Sequence, residues 1–151
     1  IWLASLGWDV VGVDFSEAAI AKARARAERD GVQVEFVCTD LLEFEPAAGT
    51  FDLVLLLYLH VPPAARRQVL AVASTALADG GKFVLVGHDL ANVKDGVGGP
   101  SDPSLLYTPD EIAAELPELE IEKAERVLRR VDDEEGDAID ALVTARRPRP
   151  S

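Results

Sequence analysis

The stretch VVGVDFSEAAIAKARARAERDG, residues 10–31, decides the fold. Its opening residues are apolar without alternation and run into one carboxylate, Asp14, after which an alanine-rich segment begins at once. A continuous apolar run reads as a parallel strand buried on both faces, here Asp9 to Asp14. Ser16 is a good N-cap for a helix to Arg29, and Asp30 with Gly31 supplies its stop. A strand that ends in an acid and passes directly into a helix is a unit of an open α/β sheet, whose ligands bind outside the carboxyl ends of the strands.

The flanking sequence extends the same alternation. IWLASL (1–6) reads as the last turns of a helix ended by Gly7. VEFVCTD (34–40) is a second strand closing on Asp40, and TFDLVLLLYLH (50–60), the most apolar strand, is expected at the centre of the sheet. Pro62 and Pro63 open a helix with the apolar stripe Ala65, Val69, Leu70, Ala73, Ala76 and Leu77, which Gly80 and Gly81 should close. KFVLVGHD (82–89) is the next strand. A Gly/Pro-rich loop from Leu90 to Tyr107 follows, and its length marks it as a candidate lid. TPDE (108–111) is a capping box for a helix to about Leu116. LEIEKAERVLRRV and DAIDALVTARR are two strands joined by the acidic turn DDEEG (132–136), so that pair is antiparallel. The fold class is α/β: a doubly wound, mostly parallel sheet with helices on both faces and an antiparallel C-terminal pair, as a single domain over 1–151.

Composition narrows the function. A net charge of −12 over 151 residues argues against a nucleic-acid binder, which needs clustered Lys and Arg. The basic cluster Arg146, Arg147 and Arg149 reads as a solvated terminus. The lone cysteine, Cys38, rules out an internal disulfide and reads as a small buried filler. His60 and His88 lie too far apart for metal-ligand spacing on one element, so no metal is expected. No apolar run approaches the roughly 20 residues that span a bilayer, and the expected setting is cytoplasmic without membrane contact. The chain has no methionine and begins with Ile1, so its start is not expected to be native.

Polar residues at the strand ends are the candidate site: Asp14, Phe15, Ser16, Asp40, Leu41, Tyr58, His60, His88 and Asp89. A carboxylate accepts two hydrogen bonds from a vicinal diol, so Asp14 suits a ribose. Asp40 can accept from an amino group such as that of adenine while the Leu41 N–H donates to a ring nitrogen. Each has a plainer alternative. Asp14 could be a loop acid favoured by the helix dipole, and Asp40 an ordinary turn residue.

On these residues the chain resembles the class I S-adenosylmethionine-dependent methyltransferases, in the small-molecule branch of tellurite-resistance and thiopurine-type enzymes. The resemblance implies a Rossmann-like fold and S-adenosyl-L-methionine as cofactor. Asp14, with Phe15 and Ser16, would meet the ribose, and Asp40 with Leu41 the adenine. FDLVLLLYLHVP would line the methionine part and the transfer site with Leu57, Tyr58 and His60. The acceptor would be a small molecule, positioned or deprotonated by Tyr58, His60, His88 and Asp89. The first strand and glycine-rich turn of that family are absent before Ile1, and GVGG (96–99) does not replace them. The fragment is therefore expected to be inactive alone or to self-associate through an incomplete sheet. Two rival functions share the adenosine seat. A nicotinamide-dependent oxidoreductase is disfavoured because neither Tyr58 nor Tyr107 is followed four residues later by lysine. A non-catalytic adenosine-binding module would leave the Tyr58, His60, His88 and Asp89 cluster without a task.

Overall fold

The structure, a computed structural model, describes residues 1–132 and 135–150. The chain forms two compact units, 1–45 and 46–151.

In the first unit, a short helix α1 (Trp2–Ser5) ends ahead of Gly7, whose φ of 89° is the left-handed backbone expected there. Strand β1 (Val11–Asp14) pairs in parallel with β2 (Glu35–Cys38), and Asp14 stands opposite Cys38. Helix α2 (Glu17–Asp30) joins them. The Ser16 side chain accepts from the Ala19 N–H, and Gly31 closes the helix at φ 68°. Such a cap contributes about 1 kcal/mol. Cys38 is exposed, contrary to the buried filler expected, and its Sγ lies 3.7 Å from the Phe15 carbonyl.

The second unit is built on four strands in the order β3-β4-β6-β5: β3 (Phe51–Leu57), β4 (Leu77–His88), β5 (Glu120–Arg130) and β6 (Asp137–Arg146). β3 and β4 are parallel, while β6 runs antiparallel to both β4 and β5. The antiparallel C-terminal pair is thus as expected, and the turn between its strands includes residues 133 and 134, which lie outside the described residues. β3 is not central: it pairs on one side only among the described strands, and Leu55 and Leu57 are exposed. The interior places belong to β4 and β6, whose Phe83, Leu85, Ala141 and Val143 are buried against Leu70 and Ala73 of α3 (Pro63–Ala76) and Ile112 of α4 (Pro109–Ala114). Each large side chain buried there is worth roughly 1.5–3 kcal/mol.

Gly80 and Gly81 do not end a helix. α3 passes into extended backbone at Leu77, and the two glycines form a bulge inside β4, where the register jumps from Phe51↔Leu77 to Leu53↔Lys82. A side chain on Gly81 would lie 2.8 Å from the Ala78 carbonyl oxygen, so the bulge needs glycine. The segment after β4 is anchored rather than loose. The buried Asn92 donates to the Gly98 carbonyl at 2.9 Å and accepts from the Ile139 N–H at 2.7 Å. The capping box at Thr108 and Glu111 is present in both directions. Arg146 pairs with Glu120, and Arg147 donates to the Ser74 carbonyl at 2.8 Å, so the basic tail is partly tied down. Among the described residues no helix is long and apolar enough to cross a membrane.

Candidate functional site

The strand ends of the first unit hold an acid pair with free acceptor capacity. Asp14, half-buried, accepts from the Ser16 N–H at 2.8 Å through Oδ1. That bond fixes the carboxylate and leaves Oδ2 without a partner among the described residues. Phe15 is 77% exposed beside it. Asp40 is exposed, and its Oδ1 accepts from the Leu42 N–H at 2.9 Å in an Asx turn that also bonds the Glu43 N–H to the Asp40 carbonyl. The intervening Leu41 N–H has no protein acceptor among the described residues. A fixed carboxylate with one open oxygen, an open carboxylate, a free N–H and a bare aromatic ring are a donor and acceptor set that fits an adenosine.

The second unit gathers the other candidates around a residue that sequence reasoning did not single out, Asp140 on β6. Its carboxylate is 1% exposed. Oδ2 accepts from the Tyr58 hydroxyl at 2.8 Å and from Arg129 Nε at 2.8 Å. Oδ1 stands 3.2 Å from His88 Nδ1. That contact is off the hydrogen-bond line, and neither atom has another polar partner among the described residues. The Arg129 guanidinium lies 5.3 Å from the Tyr58 ring centre, in cation–π range. Tyr58 reaches Asp140 because β3 ends there in left-handed backbone, φ 53° for a residue other than glycine. Such strain costs about 1–3 kcal/mol and is found at sites where the surroundings hold it. Leu57, the last residue of β3, is 58% exposed.

The histidines form a stack. The His88 ring lies 5.4 Å from that of His60 at 20°, and His60 lies 5.7 Å from Tyr107 at 23°. His60 spends both nitrogens on backbone: Nδ1 donates to the Leu105 carbonyl, and Nε2 accepts from the His88 N–H, each at 3.4 Å. Burial holds the His60 pKa below the ordinary 6.5, and those two bonds suit a neutral ring. Burial likewise holds His88 below 6.5, with the Asp140 charge opposing and Arg129 reinforcing the shift. Tyr58 is pushed above 10 by burial and by the Asp140 carboxylate, so its hydroxyl stays a donor.

Asp89 is not the partner of His88. Consecutive residues at a strand end point to opposite faces, and the buried Asp89 Oδ1 accepts from Arg126 Nε at 2.7 Å and from the Ala91 N–H at 2.8 Å. The bond to the Ala91 N–H holds the turn of chain after β4. The signal for Asp140 was present in DAIDALV, a carboxylate within an apolar strand; its face could be assigned only from the pairing His88↔Asp140 and Val127↔Asp140.

The sequence profile of a known family, described as "Methyltransferase domain", matches residues 1–81, more than half of the chain. The chain belongs to the methyltransferase-domain family. S-adenosyl-L-methionine is that family's cofactor. A carboxy-S-adenosyl-L-methionine synthase of Helicobacter hepaticus is 34% identical over 77 residues, 50% of this chain and 31% of that protein. A ribosomal RNA small subunit methyltransferase C of Alcanivorax borkumensis is 34% identical over 96 residues, 58% of this chain and 28% of that one. The chain thus spans about a third of the length of these curated relatives. Among solved structures, the N-methyltransferase NodS of Bradyrhizobium japonicum in complex with S-adenosyl-L-homocysteine superposes with a TM-score of 0.72 at 21% identity, covering 93% of this chain and 67% of that one, which shows the shared fold.

Proposed function

We propose that the protein transfers a methyl group from S-adenosyl-L-methionine to a small-molecule acceptor in the cytoplasm. Bound, that cofactor supplies an electrophilic methyl group on a positively charged sulfur. The observation that carries the reading is the Asp14 carboxylate, pinned at Oδ1 by the Ser16 N–H and open at Oδ2. In this reading Oδ2 takes the ribose hydroxyls, Phe15 and Ser16 border them, Asp40 and the Leu41 N–H take the adenine, and Leu57 contributes apolar surface. Tyr58, His60 and His88 belong to the acceptor side, with Asp89 holding the chain that carries His88. A charge of −12 supports a small molecule rather than a nucleic acid as acceptor.

The test is a calorimetric titration of S-adenosyl-L-homocysteine into the chain, with NADH as the competing ligand. Asp14→Ala should weaken binding at least tenfold, about 1.4 kcal/mol. Tight NADH binding, or unchanged affinity in the variant, overturns the assignment.

A further inference from the structure

The geometry points to His88 and Asp140 as a base that takes a proton from the acceptor, so that the acceptor atom reaches the site as a weakly acidic O–H or N–H. This rests on the methyl-transfer reading and narrows its substrate class.

The partners of the candidate groups single out one lone pair. The Tyr58 hydroxyl is given to Asp140. Both His60 nitrogens face backbone groups. Asp89 Oδ1 accepts from Arg126 and Ala91, and its Oδ2, without a hydrogen-bond partner among the described residues, is buried away from any acceptor. His88 Nδ1 stands 3.2 Å from the buried Asp140 Oδ1, an approach that is electrostatically favourable only with the proton on Nδ1. Nε2 is then the acceptor nitrogen, and it has no protein partner among the described residues. A carboxylate behind Nδ1 fixes the tautomer and steadies the imidazolium that forms when Nε2 takes a proton.

The surroundings keep this nitrogen unprotonated before reaction. The His60 ring is stacked on one face, the Tyr58 ring is 5.3 Å away, and Gly99 lies against the Cδ2–Nε2 edge, where a side chain would come within 2.6 Å. Among the described residues the charged groups on this side are Asp140 and Arg129. Arg129 shares Oδ2 with Tyr58, so part of the carboxylate's pull on His88 is diverted to the guanidinium. Arg129 is therefore a positioning residue that sets how readily His88 charges.

In the step itself the acceptor's X–H bond breaks and its proton moves to Nε2. The electron pair stays on X and forms the new bond to the methyl carbon, while the old carbon–sulfur pair leaves with sulfur. A thiolate or other soft anion would have no use for such a base. A base whose pKa lies below 6.5 suits an acidic X–H, of phenol, enol or imide type, better than an alkanol.

The chain contains two histidines, so nitrogen-detected NMR of the whole chain resolves both rings, with His88→Gln identifying one by its loss. The expected result is a neutral His88 at pH 7 with the proton on Nδ1. Asp140→Asn should move the proton to Nε2, and Arg129→Gln should raise the titration midpoint. In methyl transfer to 4-methylphenol and 4-methylthiophenol, Asp140→Asn should slow the phenol reaction about a hundredfold and leave the thiol reaction within a few-fold. A proton on Nε2 in the wild type, or equal loss on both acceptors, overturns the inference. Failure to bind S-adenosyl-L-homocysteine, both by this chain and by one extended upstream with the family's first strand and glycine-rich turn, sinks the methyl-transfer reading itself, whereas a wrong tautomer with binding intact sinks only the base.

Discussion

Replacing Glu115 by alanine should cost about 3 kcal/mol, because it strands a buried cation. Arg66 on α3 meets Glu115 in a two-pronged pair, Nε to Oε2 and Nη2 to Oε1, both at 2.9 Å. The two side chains are only 7% and 16% exposed. Removing one partner of a buried pair costs about 3–5 kcal/mol, since the remaining charge has neither partner nor water. The lower end applies here because Glu115 is not fully sealed. For a domain of this size, where each kcal/mol moves the midpoint by about 2–4 °C, the melting temperature should fall by about 6–12 °C. Circular dichroism melts would measure it. Arg66→Met should cost less, because Arg67 lies 3.7 Å from Glu115 and can take over the carboxylate. The double variant should be no worse than Glu115→Ala, giving a coupling of about 2 kcal/mol. A loss below 1 kcal/mol in Glu115→Ala would show that Arg66 reaches water and that the pair does not brace α3 against α4. The consequence extends to the site, because Arg66 also lies 5.4 Å from the centre of Tyr107, the outer ring of the histidine stack.

Further outcomes are expected. His60 and His88 both have folded pKa values below 6.5, so between those values and 6.5 the unfolded chain binds more protons. Their contribution is complete above 6.5 and is lost as the pH falls through the folded values; denaturant melts from pH 7.5 to 5 should show it, and a His60→Gln/His88→Gln chain should show a flatter profile. Gly87→Ala should destabilise by about 1–3 kcal/mol in the same melts, since its new carbon would fall 1.9 Å from the Tyr107 hydroxyl.

What the sequence revealed depended on whether the signal was local. Ser16, Gly31 and the Thr108–Glu111 box act within one turn of chain, and the structure uses each as expected. Asp14 ends β1 where the apolar run ends, whereas β2 stops at Cys38 and Asp40 lies two residues beyond it in a turn. His88 and Asp89 are neighbours in the sequence yet diverge in space, since consecutive strand residues face opposite ways, while Asp140, far along the chain, is brought opposite His88 by the β4–β6 register. Gly80 and Gly81 misled for a related reason: glycine marks an unusual backbone without saying whether a helix stop or a strand bulge requires it. Arg129 was hidden among many charges on a strand that is exposed along most of its length.

The strand order β3-β4-β6-β5 implies an uneven resistance to opening. Amides of β4 and β6 are enclosed between hydrogen-bonded neighbours, and the residues between them carry the core, so releasing them means losing the second unit as a whole. Among the described strands β5 has a neighbour on one side, with little buried surface, and can peel away at a fraction of that free energy. Its departure would carry off Arg129 and leave the Asp140 carboxylate to Tyr58 and His88 alone. Fraying of this outer strand and the charge state of the buried histidine are therefore linked: what steadies the one steadies the other.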